Sequence, residues 1–137
     1  MAVWNHVGLC VTDLDRSIEF YEGVFGFVED RRLDIPDRAA SQLLRVERPV
    51  GLSAVYLTLG TNVLELIHFA REGNPPARER PFTEPGLTHL SFTVDDLAAT
   101  CDLVIAHGGE VLEDTHTFGA AVLVRDPDGQ LLELLAS

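Results

Sequence analysis

The chain contains an internal repeat, and no other feature of the sequence restricts its fold as strongly. The segment HVGLCVTDL, which begins at His6, returns as HLSFTVDDL at His89, 83 residues further along (89 − 6). Each copy later reaches a short apolar segment with one acidic residue, VLELI around Glu65 and LLELL around Glu133. Each half therefore supplies one histidine early and one glutamate late, and two His with two Glu are typical of a metal site.

The repeat predicts an α+β fold in which two βαβββ modules form a curved mixed β-sheet cup with the helices outside. In each half, a strand precedes an acidic helix N-cap, a helix that ends at glycine, and further strands. The predicted boundaries are residues 1–70 for the first module and 87–137 for the second, joined by a linker rich in Pro and Gly over 71–86. Helices are expected at Leu14–Phe25 and Leu97–His107, and the irregular stretch Pro36–Pro49 is compatible with a shorter one at Arg38–Val46.

Strand periodicity predicts that the candidate residues share one face of their sheets. The first strands are expected at Trp4–Val11 and His89–Val94, each including its histidine. Because side chains alternate along a strand, Glu65 and Glu133 point away from the leucines that flank them. A carboxylate on an otherwise apolar face is costly unless a cation or another partner compensates its charge. The predicted metal ligands are therefore His6, Glu65, His89 and Glu133.

The same strand faces also predict a pocket. Small and apolar side chains surround the candidate ligands and leave room for a small-molecule substrate. The predicted pocket residues are Gly8, Cys10, Ile67, Phe69, Ser91 and Thr93.

Charge and composition exclude several classes of partner. The net charge is −12, from 10 basic and 22 acidic residues, and the basic residues form no stripe. Nucleic acid and anionic membrane surfaces are therefore poor partners. No apolar run reaches the length of a membrane span and the N-terminus lacks the features of a secretion signal, so we expect a cytoplasmic protein. The two cysteines, Cys10 and Cys101, do not suggest a disulfide framework.

Four segments of the chain resemble the vicinal oxygen chelate superfamily, and together they span nearly the whole sequence. They are H-V-G-L-x-V-x-D-L-x-x-S-I-x-F-Y from His6 to Tyr21, V-L-E-L at Glu65, T-H-L-S-F-x-V-D-D-L from Thr88, and R-D-P-D-G-x-L-L-E-L from Arg125. The superfamily includes glyoxalase I, methylmalonyl-CoA epimerase, extradiol dioxygenases, fosfomycin-resistance enzymes and bleomycin-binding proteins. The resemblance implies the same four ligands as the repeat, a set most similar to that of bacterial glyoxalase I.

The resemblance also implies a reaction. A glyoxalase-like lyase or isomerase uses a divalent metal ion (Ni, Zn, Co, Mn or Fe) to bind adjacent substrate oxygens and to stabilise an enediolate. Glu133 or Glu65 would act as the general base, and Glu133 is favoured because metal-using branches of the superfamily retain a carboxylate there. We expect a homodimer, since sheet edges of small modules need covering. The ligands would come from one chain, or as one His/Glu pair from each of two chains.

Two departures from glyoxalase I argue against glutathione as part of the substrate. Glyoxalase I has an arginine four residues after its first histidine and an asparagine four residues after the strand glutamate, and both contact glutathione. The corresponding residues here are Cys10 and Phe69, which predict a less charged pocket. Two alternatives stay open: an extradiol-type Fe(II) dioxygenase with two His and one carboxylate as ligands, and a non-catalytic ligand-binding protein of the bleomycin-resistance type.

Overall fold

The computed structural model describes all residues from Met1 to Ser137 and contains two compact units. Unit 1 comprises Met1–Ile18 and Gly26–Pro75, and unit 2 comprises Glu19–Phe25 and Pro76–Ser137. The division passes through the first helix, whose second half belongs to unit 2. None of the helices has the length and apolar character needed to cross a membrane.

Unit 1 is built on a four-stranded mixed sheet. Its strands are β1 (Val7–Cys10), β2 (Val28–Asp34), β3 (Leu52–Leu59) and β4 (Asn62–Phe69), and its helices are the first half of α1 (Leu14–Phe25) and α2 (Asp37–Leu44). The strand order is β1-β4-β3-β2, with β1 parallel to β4 and the other pairs antiparallel. β3 and β4 form a hairpin across Gly60 and Thr61, and Gly60 adopts the positive φ that favours glycine in such turns.

Unit 2 repeats this arrangement. Its strands are β5 (Leu90–Val94), β6 (Glu110–Val111), β7 (Ala121–Arg125) and β8 (Leu131–Ala136), and its main helix is α3 (Leu97–Ala106). The strand order is β5-β8-β7-β6, again with only the first pair parallel. The predicted fold class, α+β with two βαβββ modules, is confirmed.

The structure corrects where the first strand of each module begins. The ladder between β1 and β4 starts at Val7, and the ladder between β5 and β8 starts at Leu90. His6 and His89 therefore each lie one residue before their strand rather than within it. The sequence around β6 is compatible with a strand over Glu110–Glu113, but the strand in the structure ends at Val111, because a turn of 3₁₀ helix occupies Glu113–Thr115.

Each sheet has one buried face, as strand alternation predicts. The leucines that flank the two glutamates are 0–2% exposed: Leu64, Leu66, Leu132 and Leu134. Glu65 and Glu133 lie on the opposite and partly exposed face, which we call the glutamate face of each sheet. The prediction that the leucines and the glutamates occupy opposite faces is confirmed.

Helix α2 covers one end of the glutamate face in unit 1. Its Ala40, which is 1% exposed, packs with Val50 and Leu52 into a small apolar cluster. Ile67 and Phe69 of β4 pack against the same cluster. The sequence is compatible with a helix here, but its position over the sheet appears only in the structure.

A buried hydrogen bond joins α1 to the turn between β7 and β8 within unit 2. The Tyr21 hydroxyl donates to Oδ2 of Asp126 at 2.7 Å, and the two residues are 0% and 4% exposed. Oδ1 of Asp126 accepts hydrogen bonds from the backbone N–H groups of Asp128 and Gln130. Burial raises the pKa of Asp126, and these hydrogen bonds oppose the rise. The charged form of Asp126 is therefore stabilised by all of these hydrogen bonds together.

Replacing Tyr21 with phenylalanine is expected to lower the free energy of unfolding by about 1–3 kcal/mol at pH 7, since a buried carboxylate oxygen loses its donor. Loss of this donor also raises the pKa of Asp126 further. A carboxyl group whose folded pKa exceeds its unfolded pKa binds more protons when folded, so its contribution to stability falls as the pH rises through that range. The deficit should therefore be larger at pH 7 than at about pH 4, measured by urea unfolding and circular dichroism.

Tyr56→Phe is the matched control, because Tyr56 is the only other tyrosine and is partly exposed. This variant should lose clearly less stability than Tyr21→Phe, because water can replace the missing partner. Equal deficits of Tyr21→Phe at the two pH values would show that the buried carboxylate is not their cause.

Candidate metal centre

His6 and Glu65 come together at the start of β1 in unit 1. In the parallel ladder of β1 and β4, Gly8 lies beside Glu65, so the residue just before β1 is close to the same carboxylate. The Nε2 atom of His6 lies 3.7 Å from Oε1 of Glu65, and the two side chains are 32% and 17% exposed. Nδ1 of His6 is hydrogen-bonded to Oδ1 of Asn5, which leaves Nε2 for the glutamate side.

His89 and Glu133 form an equivalent pair in unit 2. Nε2 of His89 lies 3.8 Å from Oε1 of Glu133, and the side chains are 29% and 32% exposed. The Thr88 hydroxyl is hydrogen-bonded to Nδ1 of His89 at 2.8 Å. The Phe82 ring lies beside the imidazole, with 5.5 Å between the ring centroids. The repeat thus yields two His–Glu pairs of nearly the same geometry, one in each unit.

Each glutamate also accepts a hydrogen bond from a hydroxyl group, but the two donors occupy different positions in their sheets. Ser91, beside Glu133 in the ladder of β5 and β8, donates to Oε1 at 2.7 Å. The counterpart of Ser91 in unit 1 is Gly8, where an added Cβ would lie 3.6 Å from Oε1 of Glu65. There the hydroxyl comes instead from Tyr56, which faces Glu65 from β3.

Tyr56 is a site residue that the sequence patterns do not single out. Its hydrogen bond to Glu65, followed by burial and by the charge of that carboxylate, raises the pKa of Tyr56. The His6 ring meets it edge-on, with centroids 5.6 Å apart. The Arg31 guanidinium lies 4.5 Å from the centre of the Tyr56 ring, in a cation–π contact. The register of the β3–β4 hairpin is the signal that could have identified this residue.

The geometry of both pairs fits a divalent metal ion. The Nε2–Oε1 distances of 3.7 and 3.8 Å are too long for hydrogen bonds. Two neighbouring ligand atoms that each lie about 2.0–2.2 Å from one ion are about 3–3.5 Å apart, so a small movement of the side chains would bring both atoms of a pair to a shared ion. Metal-binding histidines commonly donate their other ring N–H to an acceptor, and both His6 and His89 have an oxygen at Nδ1.

The structure brings the predicted ligands together in pairs. No group of three or more His, Cys, Asp or Glu side chains in the chain is arranged to hold a metal ion, and the four-ligand set stays a prediction. Two other His–Glu approaches, His107 to Glu19 at 3.6 Å and His116 to Glu113 at 3.2 Å, have no equivalent in the repeat. The pairs that the repeat selects are therefore the stronger candidates.

The predicted pocket residues fall into two groups. Those on β1 and β5 are exposed on the glutamate faces: Gly8, Cys10, Ser91 and Thr93. Ile67 and Phe69 share the glutamate face of unit 1 but pack against the cluster under α2. The role of these six residues in a pocket stays a prediction.

Comparisons with known proteins agree with this architecture. The chain matches the model of the Glyoxalase/Bleomycin resistance protein/Dioxygenase superfamily over residues 4–134. It is 31% identical over 135 residues to a lactoylglutathione lyase of Haemophilus influenzae, covering 95% of this chain and 89% of that protein. An ethylmalonyl-CoA/methylmalonyl-CoA epimerase of Cereibacter sphaeroides is 29% identical over 112 residues, covering 79% of this chain and 72% of that protein.

The solved structure of a glyoxalase family protein from Bacillus cereus has the same fold. Its TM-score is 0.83 at 20% identity, with 99% of this chain and 94% of that chain covered. At that level of identity the likeness concerns the fold alone. The family match, in contrast, extends over nearly the whole sequence. The chain therefore belongs to the Glyoxalase/Bleomycin resistance protein/Dioxygenase superfamily.

Proposed function

We propose that this protein is a divalent-metal-dependent enzyme of the glyoxalase type, a lyase or isomerase that acts on a small substrate with adjacent oxygen atoms. The observation that carries the proposal is the recurrence of one His–Glu geometry at repeat-equivalent positions of the two units. The relatives named as a lyase and an epimerase support an enzyme.

Each unit would contribute one pair of metal ligands. The proposed ligands are His6, Glu65, His89 and Glu133. When bound, a divalent ion would act as a Lewis acid and stabilise negative charge on the substrate oxygens. Asn5 and Thr88 orient the two imidazoles through Nδ1, and Tyr56 and Ser91 hold the two carboxylates. Imidazole and carboxylate donors suit Ni, Zn, Co, Mn and Fe.

Glu133 is the proposed general base that removes the proton from the carbon beside the substrate carbonyl. Its side chain is 32% exposed, compared with 17% for Glu65, so it has more room to move towards a substrate. Glu65 is enclosed between the ring of His6 and the hydroxyl of Tyr56. The alternative, in which Glu65 is the base, predicts the opposite behaviour of the two glutamine variants.

The proposed substrate pocket lies on the glutamate faces. Cys10 and Phe69 provide no charge there, which favours a substrate without glutathione. The proposed assembly is a homodimer. β1 and β5 each form one edge of their sheet, and exposed sheet edges are commonly covered by a partner.

Metal loading followed by a proton-exchange assay tests the proposal. Protein stripped of metal and reloaded with each of the five ions should bind about one ion per chain, and light scattering of the same sample should show a dimer. Small 2-oxoaldehydes and 2-hydroxycarbonyl compounds, with and without glutathione, are then incubated in heavy water. Exchange of the hydrogen beside the carbonyl for deuterium, seen by NMR, is the expected result.

Other outcomes point to the alternatives. Oxygen uptake with a catechol and Fe(II), without hydrogen exchange, would replace the proposal with a dioxygenase. If none of the five ions binds stoichiometrically, both the glyoxalase-type enzyme and the dioxygenase are contradicted, and a ligand-binding protein is favoured.

A further inference from the structure

Unit 2 contains a cavity that the predicted pocket does not include. Its volume is about 300 Å³, at the lower end of the range for small-molecule sites. Residues between positions 77 and 88 form one wall, and the end of β7 with the turn into β8 forms the other.

The cavity adjoins the pair of His89 and Glu133. Thr88 lines the cavity, and its hydroxyl is hydrogen-bonded to Nδ1 of His89. Phe82 lines the cavity as well, and its ring lies beside that of His89. Leu131, a third lining residue, precedes Glu133 by two residues on the same face of β8, about 7 Å along the strand. A ligand in this cavity would therefore lie next to the pair.

Arg125 lines the cavity and lies on the glutamate face of unit 2. It faces Leu131 in the antiparallel ladder of β7 and β8, and directly opposed residues share a face. Leu123 faces Glu133 in the same ladder, so Arg125 and Glu133 are diagonal neighbours about 7–8 Å apart. Val124, which lies between Leu123 and Arg125, is 0% exposed and belongs to the opposite face.

Basic residues are concentrated at this cavity in a strongly acidic chain. Three of the ten basic residues line it, and all are arginines: Arg78, Arg80 and Arg125. Two of the three form hydrogen bonds within the segment 77–88 that makes up one wall of the cavity. Arg78 pairs with Glu84 through both terminal nitrogens. Arg80 donates to the carbonyl oxygens of Pro85 and Leu87.

Arg125 is held by carboxylates at the surface instead. Its guanidinium lies 2.7 Å from Glu79 and 3.2 Å from Glu110, whose side chains are 84% and 62% exposed. Exposed pairs of this kind are weak, so a competing anion can replace one of them. Besides Glu79, the cavity is lined by one other acidic residue, Asp128. The planar guanidinium of arginine matches the paired oxygens of a carboxylate or phosphate.

We propose that the cavity binds a carboxylate or phosphate group of the substrate through Arg125. This inference rests on the proposed metal function of His89 and Glu133, and it narrows the substrate class. The substrate would carry adjacent oxygens for the metal and, a short carbon chain away, a second anionic group. On binding, that group takes the place of Glu79 at the guanidinium of Arg125.

Simple anions test the cavity on the metal-free protein. Malonate and inorganic phosphate are titrated and followed by NMR, and the tighter of the two identifies the bound group. Arg125→Gln should weaken its binding by about tenfold or more. Arg38→Gln, which removes an exposed arginine of α2, should leave the affinity unchanged. Glu79→Gln removes the competing carboxylate and should tighten binding, a gain that damage to the fold does not produce.

Two hydroxy acids test the connection with the metal. Malate and lactate share a hydroxyl and a carboxylate that can chelate Ni²⁺, but only malate has a second carboxylate. Malate should bind the Ni²⁺-loaded protein about tenfold more tightly than lactate. Arg125→Gln should abolish this difference and leave lactate binding unchanged.

The outcomes separate this inference from the proposed function. Equal affinities for malate and lactate, or failure of both malonate and phosphate to bind, would overturn the anion site while the metal function stands. Failure of the parent protein to bind any of the five ions would overturn the metal function, and the malonate and phosphate titrations would still decide whether the cavity binds anions.

Discussion

Replacing His89 with alanine will weaken metal binding by at least about 100-fold and leave the fold intact. Changes to residues that only orient a metal ligand cost roughly 10–100-fold, so removal of a ligand costs more. His89 is partly exposed and precedes β5, away from the buried leucines of the sheet. Titration calorimetry with Ni²⁺ measures the loss, and far-UV circular dichroism checks the fold. His116→Ala, which removes a histidine outside the repeat, should bind Ni²⁺ like the parent.

The two glutamates should separate the role of ligand from that of base. Glu133→Gln is expected to keep more metal than His89→Ala, because an amide oxygen can still coordinate. It should nevertheless slow hydrogen exchange by about 10²–10⁴-fold, the usual contribution of a general base. Full exchange in Glu133→Gln together with none in Glu65→Gln would reverse the assignment. If every single variant binds metal as tightly as the parent, the site itself is wrong.

Replacing Gly109 with alanine is expected to lower the free energy of unfolding by about 3 kcal/mol or more, because it overfills a closed space. A Cβ atom at this position would lie 2.5 Å from the carbonyl oxygen of Arg125 and 2.8 Å from side-chain atoms of Phe20 and of Val104. The first contact is with backbone, and Phe20 and Val104 are both 0% exposed. None of the three neighbours can move aside at low cost. Urea unfolding measures the loss.

Gly8→Ala is the matched control for this prediction. A Cβ atom at Gly8 would meet only Oε1 of Glu65, at an ordinary contact distance of 3.6 Å. Its counterpart Ser91 already carries a side chain at the equivalent position. The control should therefore stay within about 0.5 kcal/mol of the parent. Equal stabilities of the two alanine variants would contradict the close packing around Gly109.

Local patterns were sufficient to predict the parts of the fold that local chemistry determines. The helix at Leu14–Phe25 was predicted with the bounds that the structure has, because an N-cap and a glycine mark its ends. Strand alternation predicted which leucines are buried and placed Glu65 and Glu133 opposite them. The repeat then singled out His6 and His89, each of which lies beside its glutamate.

The remaining site contacts depend on registers and loop paths that no local pattern encodes. Tyr56 reaches Glu65 only through the pairing of β3 with β4. Arg125 faces a cavity only because the segment between residues 77 and 88 lies against the end of β7. Helix α2 is compatible with the sequence, but its packing against Phe69 joins residues far apart in the chain.

Tyr56 and Ser91 give the two glutamates the same kind of hydrogen bond from different neighbouring strands. In a chain that arose by duplication of one module, such a difference dates from after the duplication, when each copy could change alone. The two carboxylates can therefore be altered independently by substitution at different residues. A substitution at Tyr56 removes the hydroxyl partner of Glu65 and leaves that of Glu133 in place, and one at Ser91 does the reverse. Natural selection or an engineer can adjust one His–Glu pair and keep the other as it is.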